Sequence, residues 1–162
     1  MICDLNPDDV GRILALNNAH AAETSLLDEV GLRSLLSMAC YARGIDRGAT
    51  AFLIALDPRA DYDSLNYRWF QAHRDSFVYI DRVIVAPSAR GQGLARKLYQ
   101  DLFSDAQWNG TPLAVCEVNL HPANPISLAF HAALDFVETG RATIHGGLKT
   151  VAYLEKPLSL TC

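Results

Sequence analysis

The sequence predicts an α/β (α+β) fold in which helices cover both faces of a mixed β-sheet. Apolar, β-branched runs and stretches of helical periodicity follow one another as strand, two helices, three strands, helix, strand, helix, two strands. This order departs from the simple strand–helix alternation of a parallel sheet. The chain has 162 residues, of which 50% are hydrophobic, so it can bury a sizeable core. We therefore expect one domain over residues 1–162.

Residues 1–56 predict one strand, two helices and a hairpin. Asn6 or Asp8 can cap the first helix, and Asp28 can begin the second. Apolar residues then recur at helical spacing in both segments. The predicted elements are a strand at 2–5, a helix ending near residue 22, a helix over 28–39, and a hairpin of 42–46 and 49–56.

Residues 57–76 are the least regular stretch of the chain. They are mostly polar, begin with Asp57-Pro58, and contain Tyr67, Trp69 and Phe70. Long irregular loops are uncommon in compact domains and often line a site. We predict a loop here, whose aromatic side chains either form an apolar wall for a substrate or fill the core.

Residues 77–155 predict the second half of the sheet and its helices. A stripe of Leu94, Leu98 and Leu102 marks a helix, which Asn109-Gly110 ends. The predicted elements are a strand at 77–85, a helix over 91–108, a strand at 113–118, a helix over 125–134, and a closing hairpin of 136–144 and 149–155.

The junction between the strand at 77–85 and the following helix carries the clearest functional signal. Pro87 ends the strand because proline cannot donate to a ladder, and a turn with Gly91 and Gly93 then opens the helix. Free backbone N–H groups at a helix N-terminus, together with the helix dipole, favour an anion such as a phosphate or pyrophosphate. The glycines allow close approach because they lack a Cβ.

Arg90, Gly93 and Ala95 form the pattern Arg-x-x-Gly-x-Ala after a Val-x-Val strand. This pattern resembles the pyrophosphate loop of the GNAT superfamily of acyl-CoA-dependent N-acetyltransferases. The resemblance implies a mostly antiparallel sheet of about seven strands, whose two central strands splay apart to hold the acyl-CoA. It also implies that the backbone of residues 83–85 pairs with the pantetheine arm, and that an N–H there polarises the thioester carbonyl.

A second segment is similar to another GNAT motif, Asn-x-x-Ala-x-x-Leu-Tyr-x-x-x-Gly-Phe. Asn124, Ser127 and Phe130 fit this motif, whereas His131 replaces the usual Tyr and Asp135 the usual Gly. The two motifs imply acetyl-CoA as co-substrate. The residues that they assign to its binding are Val83, Ile84, Val85, Arg90, Gly91, Gln92, Gly93, Leu94, Ala95, Arg96, Asn124, Ser127, Phe130 and His131.

Acetyl transfer to an ammonium substrate needs a base. Asp81 is the first candidate, because it lies four residues before Val85, on the same expected strand face, where many family members carry an acid. It could equally form an ion pair with Arg82. Glu117, on the neighbouring strand, could act through a water molecule or make a cross-strand polar contact.

The acid that returns a proton to the thiolate is less defined. His131 stands where the family Tyr often lies, and an imidazole can do this work. It could instead touch the cofactor without chemistry, since solvent can also protonate a thiolate. For the acceptor amine, the candidate binding residues are Glu23, Tyr67, Trp69, Phe70 and Asn119.

Charge and composition narrow the partners. The formal net charge of −4 disfavours a nucleic-acid partner and suits a cationic amine. The sequence has no run of 18 apolar residues, no signal-peptide pattern and no metal-ligand spacing, so we expect no membrane association, a cytoplasmic protein and no metal.

These observations predict an N-acetyltransferase that moves an acetyl group from acetyl-CoA to a primary amine directly, within a ternary complex. A non-catalytic acyl-CoA-binding or sensor domain and a nucleotide-binding module remain as alternatives. The acceptor could be a small molecule or a protein or peptide amine. We expect a monomer or a homodimer.

Overall fold

The computed structural model describes residues 1–20 and 24–159 of the chain. The strands are β1 (Ile2–Asp4), β2 (Tyr41–Ile45), β3 (Ala51–Leu56), β4 (Val78–Val85), β5 (Leu113–His121), β6 (Val137–Ile144) and β7 (Lys149–Pro157). The helices are α1 (Val10–Ala19), α2 (Glu29–Met38), α3 (Leu65–His73), α4 (Leu94–Trp108) and α5 (Pro125–Ala132).

The strands form one seven-stranded sheet in the order β1-β2-β3-β4-β5-β7-β6. Neighbouring strands are antiparallel except for the central pair, β4 and β5, which is parallel. This pair is joined only at Val78↔Ala114 and Tyr79↔Val115 in the described part of the chain, and the two strands then diverge. The predicted mixed, mostly antiparallel sheet with splayed central strands is therefore confirmed.

Helices cover both faces of this sheet, as predicted. On one face, α4 buries its stripe of Leu98, Leu102 and Ala106 against the sheet, beside residues of α5. On the other face, α1, α2 and α3 bury a second apolar cluster. Each helix packs on the sheet through one apolar stripe. The opening between the diverging strands β4 and β5, called the wedge below, therefore has α4 and α5 on one side and α1, α2 and α3 on the other.

Helix α3 corrects the prediction of an irregular loop at residues 57–76. Ser64 caps the helix by accepting a hydrogen bond from the backbone N–H of Tyr67. Tyr67 and Phe70, three residues apart, are both fully buried and pack on Tyr79. A serine cap followed by aromatic residues at i and i+3 was the signal that the prediction overlooked.

Helix starts follow the sequence closely. Asn6 accepts a hydrogen bond from the backbone of Asp8 and so caps a short 3₁₀ turn that leads into α1, and Asp28 caps α2. The predicted end of the first helix near residue 22 lies outside the described residues. Helix α4 begins at Leu94 and not at residue 91. In the described part of the chain, no helix combines the length and apolarity that crossing a membrane requires.

Candidate active site

The turn between β4 and α4 presents the backbone at the start of the helix. Gly91 and Gly93 adopt φ values of +77° and +72°, in the left-handed region that glycine favours. Gly93 is the N-cap and has no side chain to bond the first N–H groups of α4. A Cβ added at either glycine would meet no protein atom within 4 Å, so the space before the helix is open. This geometry fits an anion such as a pyrophosphate.

Arg90 lies at the rim of this turn. Its guanidinium approaches the carbonyl of Val85 at 3.4 Å and the ring of His20 at 3.4 Å. These contacts link the end of β4, the turn and the end of α1. The side chain is exposed, and its charge adds to the positive potential of the helix N-terminus.

The C-terminal end of β4, residues 83–85, borders the wedge. In the described part of the chain it pairs with β3 and not with β5. The side chains of Val83 and Val85 pack towards α4, whereas Ile84 packs into the opposite cluster. The strand edge that faces β5 can therefore hydrogen-bond an extended ligand, as the resemblance implied for pantetheine.

Asp81 and Arg82 occupy a β-bulge in β4. Across β3, Ile54 pairs with Arg82 and Ala55 pairs with Ile80, which leaves Asp81 as the extra residue. Asp81 bonds to Tyr62 on the face of α1–α3, whereas Val85 packs towards α4. The expectation that Asp81 shares a face with Val85 was therefore wrong, because the bulge interrupts the alternation of side chains.

The carboxylate of Asp81 forms an ion pair with Arg82, with Nε and Oδ2 3.1 Å apart, and each side chain is 6% exposed. Burial raises the pKa of Asp81, while Arg82 and Tyr62 oppose that rise. Arg82 also donates from Nη1 to Asn17 Oδ1 at 2.9 Å and from Nη2 to Ser25 Oγ at 2.8 Å. The guanidinium thus ties β4 to α1 and to the connection that follows it.

Glu117 lies on β5, two residues beyond the last pair between β4 and β5. Its Oε2 accepts from the Tyr79 hydroxyl at 2.8 Å, and its Oε1 accepts from the Asn66 amide at 3.1 Å. Burial raises the pKa of Glu117 to about 7, although both hydrogen bonds lower it. Glu117 is the carboxylate at the wedge whose pKa is suited to accepting a proton near neutral pH.

His131 is buried on α5, with 4% of its surface exposed. Its Nδ1 lies 2.7 Å from the carbonyl oxygen of Ser127, which can only accept, so Nδ1 carries the hydrogen. Its Nε2 then accepts from the Tyr99 hydroxyl at 2.8 Å. Burial lowers the pKa of His131, so the ring is neutral and joins α4 to α5.

The other residues of the second motif shape α5. Asn124 caps this helix by accepting from the backbone N–H of Ser127 at 3.2 Å. Phe130 contacts the ring of Tyr99 edge-on, with centroids 5.1 Å apart. Asp135 adopts a φ of +65°, in the left-handed region that favours glycine. Glycine is the residue that the motif it resembles usually has at this position.

The acceptor candidates fall into separate environments. Tyr67 and Phe70 are fully buried core residues, so neither lines an open wall. Trp69 is half-buried and stacks on Tyr153, with ring centroids 4.3 Å apart. Asn119 is half-buried on β5, two residues after Glu117. Glu23 lies outside the described residues.

The structure therefore brings Asp81 and Glu117 together where β4 and β5 separate, and places the α4 turn at the far end of β4. It adds residues that the sequence did not single out, namely Tyr62, Asn66, Tyr79 and Tyr153. No sequence pattern pointed to Asn66, because its helix was predicted as a loop. Within residues 1–20 and 24–159, no three His, Cys, Asp or Glu side chains are placed to hold a metal ion.

The family model described as acetyltransferase (GNAT) family matches residues 49–136. This match favours an acetyltransferase over the alternative of a nucleotide-binding module. No curated protein matches the chain.

Solved structures share the fold over almost the whole chain. The ribosomal-protein-S18-alanine N-acetyltransferase from Escherichia coli is 18% identical, with a TM-score of 0.71 over 100% of this chain and 96% of that one. Ard1 from Thermoplasma volcanium is 12% identical, with a TM-score of 0.77 over 98% and 97%. The yncA protein from Salmonella typhimurium, solved with its cofactor acetyl-CoA, is 19% identical, with a TM-score of 0.70 over 100% and 95%.

The strand–turn–helix anion site, the splayed central strands and the family match agree with one another. The chain belongs to the acetyltransferase (GNAT) family of acetyl-CoA-dependent enzymes.

Proposed function

We propose that the chain transfers an acetyl group from acetyl-CoA to a primary amine by direct attack within a ternary complex. The observation that carries this proposal is the position of Glu117. Its carboxylate, with a pKa of about 7, lies where the wedge opens, and β4 leads from that point to the α4 turn. This arrangement supports a base on β5, beside the point where the two strands diverge, and a cofactor site at the far end of β4.

Acetyl-CoA supplies the thioester, and this chain's residues hold it. Residues 90–96 bind the pyrophosphate through the N–H groups at the start of α4, and Arg90 and Arg96 add charge. The open edge of residues 83–85 pairs with the pantetheine arm, and a backbone N–H there polarises the carbonyl. Asn124, Ser127, Phe130 and His131 shape α5, and we expect this helix to lie beside the bound cofactor.

Glu117 is the proposed base and acts through a water molecule. It accepts the proton that the ammonium must lose before its nitrogen attacks the thioester carbon. As the new C–N bond replaces the C–S bond, the nitrogen loses its second proton to solvent, and the leaving thiolate takes a proton from solvent. Asp81 is the weaker candidate, because its carboxylate is already paired with the Arg82 guanidinium and bonded to Tyr62.

His131 is better suited to organising α5 than to returning the proton. Both ring nitrogens have partners inside the protein, and burial lowers the pKa of the imidazole. Solvent then protonates the thiolate as the coenzyme leaves.

The acceptor is a cationic amine, of a small molecule or of a protein or peptide. The net charge of −4 favours its approach. Trp69 lies on α3 three residues after Asn66, and Asn119 lies on β5 two residues after Glu117. Both are half-buried, and we assign them, with Glu23, to the acceptor side. Tyr67 and Phe70 contribute by supporting α3.

Release of free thiol from acetyl-CoA tests this function, with a panel of small amines and of peptides with free N-termini. We expect thiol release that depends on the acceptor, together with acetylated product in equal amount. Coenzyme binding without transfer to any amine would support the alternative of a non-catalytic acyl-CoA-binding or sensor domain. Covalent acetylation of the protein before the acceptor is added would contradict direct transfer.

A further inference from the structure

The base candidate is held by a chain of hydrogen bonds that begins on another strand. The Tyr153 hydroxyl, on β7, donates to Asn66 Oδ1 at 3.0 Å. The Asn66 amide donates from Nδ2 to Glu117 Oε1 at 3.1 Å. The Tyr79 hydroxyl donates to Oε2 of the same carboxylate at 2.8 Å. The two carboxylate oxygens therefore accept from side-chain donors on different elements, Oε1 from α3 and Oε2 from β4.

This chain of bonds fixes the orientation of the Asn66 amide. The ionised carboxylate can only accept, so the NH₂ group must face Glu117. The amide oxygen then faces Tyr153, whose hydroxyl donates to it. Trp69 stacks on the Tyr153 ring at a 17° interplanar angle and so holds the phenol in place.

We propose that Asn66 is a positioning residue for acetyl transfer, because it aims the carboxylate of Glu117 and, with Tyr79, favours its charged form. Asn66 touches neither substrate nor cofactor in this account, and it acts only through Glu117. The inference rests on the proposed role of Glu117 as base.

A purely structural role for Asn66 is a poor account of the same contacts. Helix α3 is already anchored by Tyr67 and Phe70, which are fully buried. Its C-terminal end is anchored by Arg74, whose guanidinium lies 2.9 Å from Glu155. Asn66 is only half-buried, so it adds little apolar packing to the core. Its amide instead bridges two polar groups, the Glu117 carboxylate and the Tyr153 hydroxyl.

The sign of the expected effect follows from the donors. Both Asn66 and Tyr79 lower the pKa of Glu117, against the burial that raises it. Replacing Asn66 with an apolar residue removes one stabilising donor from the charged form, so the pKa rises further. Since the base acts when deprotonated, the acidic limb of the rate profile moves to higher pH.

The experiment compares the pH dependence of kcat/KM for the wild type, Asn66→Leu and Gln71→Ala. Gln71 is an exposed residue of α3 whose amide bonds to Pro58 and Tyr67, away from Glu117, so it is the matched control. We expect Asn66→Leu to move the acidic limb upward by about one pH unit. At pH values below the acidic limbs of both proteins, kcat/KM of Asn66→Leu is then about tenfold lower than that of the wild type. At pH values above both limbs the two proteins differ little. The control keeps the wild-type limb.

Tyr153→Phe supplies a second variant if Asn66→Leu does not fold. It leaves the aromatic stack in place and removes the donor that orients the amide, so the limb moves in the same direction by a smaller amount. An unchanged limb in a folded Asn66 or Tyr153 variant, even with a lowered Tm, would overturn the proposal.

Failure of the proposed function is recognised separately. If the wild type acetylates no amine, the ¹³C chemical shift of the Glu117 carboxyl, followed by NMR from pH 5 to 9, replaces kcat/KM. A raised midpoint in Asn66→Leu would still show that Asn66 controls Glu117, whereas equal midpoints would refute that control.

Discussion

Asp81 and Arg82 are adjacent in sequence, yet their side chains form an ion pair of 3.1 Å on the same side of the sheet. The bulge in β4 makes this possible, because it gives one pairing position of β3 to two residues of β4. The pair lies beside the base candidate, and its arginine also holds Ser25, within the segment that joins α1 to α2. Its role can be separated from catalysis.

Asp81→Asn should weaken folding more than chemistry. The substitution leaves the buried Arg82 charge without its carboxylate but with its other acceptors, so we expect the free energy of unfolding to fall by about 2 kcal/mol. The acceptor KM should rise, because the connection between α1 and α2 is held less firmly, while kcat stays within about threefold. Denaturant unfolding and steady-state kinetics check this. A loss of about 10²-fold in kcat at an unchanged acceptor KM would assign the base to Asp81.

Glu117→Gln should have opposite effects on activity and stability. Removing the base should lower kcat/KM by about 10²-fold and abolish the acidic limb near pH 7. In the wild type, the pKa of Glu117 rises from 4.5 to about 7 on folding, so ionisation opposes folding progressively between those values. Above pH 7 this cost is about 3 kcal/mol, and the amide variant is spared it.

The corresponding measurement is thermal unfolding of both proteins at pH 5 and pH 8. We expect the Tm of Glu117→Gln to exceed that of the wild type by more at pH 8 than at pH 5. A Tm difference that is the same at both pH values would contradict the raised pKa.

Arg90→Ala and Gly93→Val should weaken coenzyme A binding. Loss of one charge-assisted hydrogen bond should cost about 1.5–3 kcal/mol. The valine should be worse, because it would occupy the open space before α4 and because Gly93 has a φ of +72°. Calorimetry with coenzyme A measures both. If both variants bind coenzyme A with unchanged affinity, the turn before α4 is not the pyrophosphate site.

Trp69→Ala should change the ranking of amine acceptors and raise the acceptor KM, with little change in the KM for acetyl-CoA. The indole lies against Gly140, where an added Cβ would be 2.7 Å from the ring. Gly140→Ala should therefore displace the same ring without removing it, and should alter acceptor preference in a similar way. The assays need a temperature at which both variants are folded. If both variants have a lower Tm but rank the acceptors as the wild type does, Trp69 contributes only to packing.

His131→Phe should reduce stability and leave kcat within about threefold. The phenyl ring preserves the volume but leaves the buried Tyr99 hydroxyl without its acceptor, at a cost of about 1–3 kcal/mol. Because burial lowers the pKa of His131, the wild type loses stability as pH falls below 6.5, and the variant lacks this dependence. Unfolding at pH 5.5 and 7.5 and steady-state rates test both statements. A fall in kcat of about 10²-fold with unchanged stability would restore His131 as the acid.

Much of the architecture could be predicted from local signals. The Asn6 and Asp28 caps, the turn at Gly91 and Gly93, and the bounds of β6 are set by residues close together in sequence. Helix α3 was missed because the residues around Tyr67 and Phe70 are polar and resemble a loop. The surface that buries the two aromatic rings, Tyr79 of β4 and Tyr153 of β7, is distant in sequence.

The arrangement of the site was harder to foresee. Glu117 could be chosen as a candidate, but its raised pKa depends on burial and on Tyr79 from the neighbouring strand. The face of Asp81 depends on the register of β3 against β4, which a single strand does not encode. Asn66 reaches Glu117 across 51 positions of the chain, so only the folded sheet brings them together.

Strand β4 is an interior strand at its start and an edge strand at its end. Tyr79 pairs with Leu56 of β3 and with Val115 of β5, whereas residues 83–85 pair only with β3 in the described part of the chain. Open edges usually invite strands from other molecules, and proteins shield them. Here the edge faces β5 within a single sheet, in the opening between the two diverging strands. An unpaired edge in this position is less accessible to a strand of another molecule than an edge at the margin of the sheet, because a neighbouring strand of the same sheet already lies on its far side.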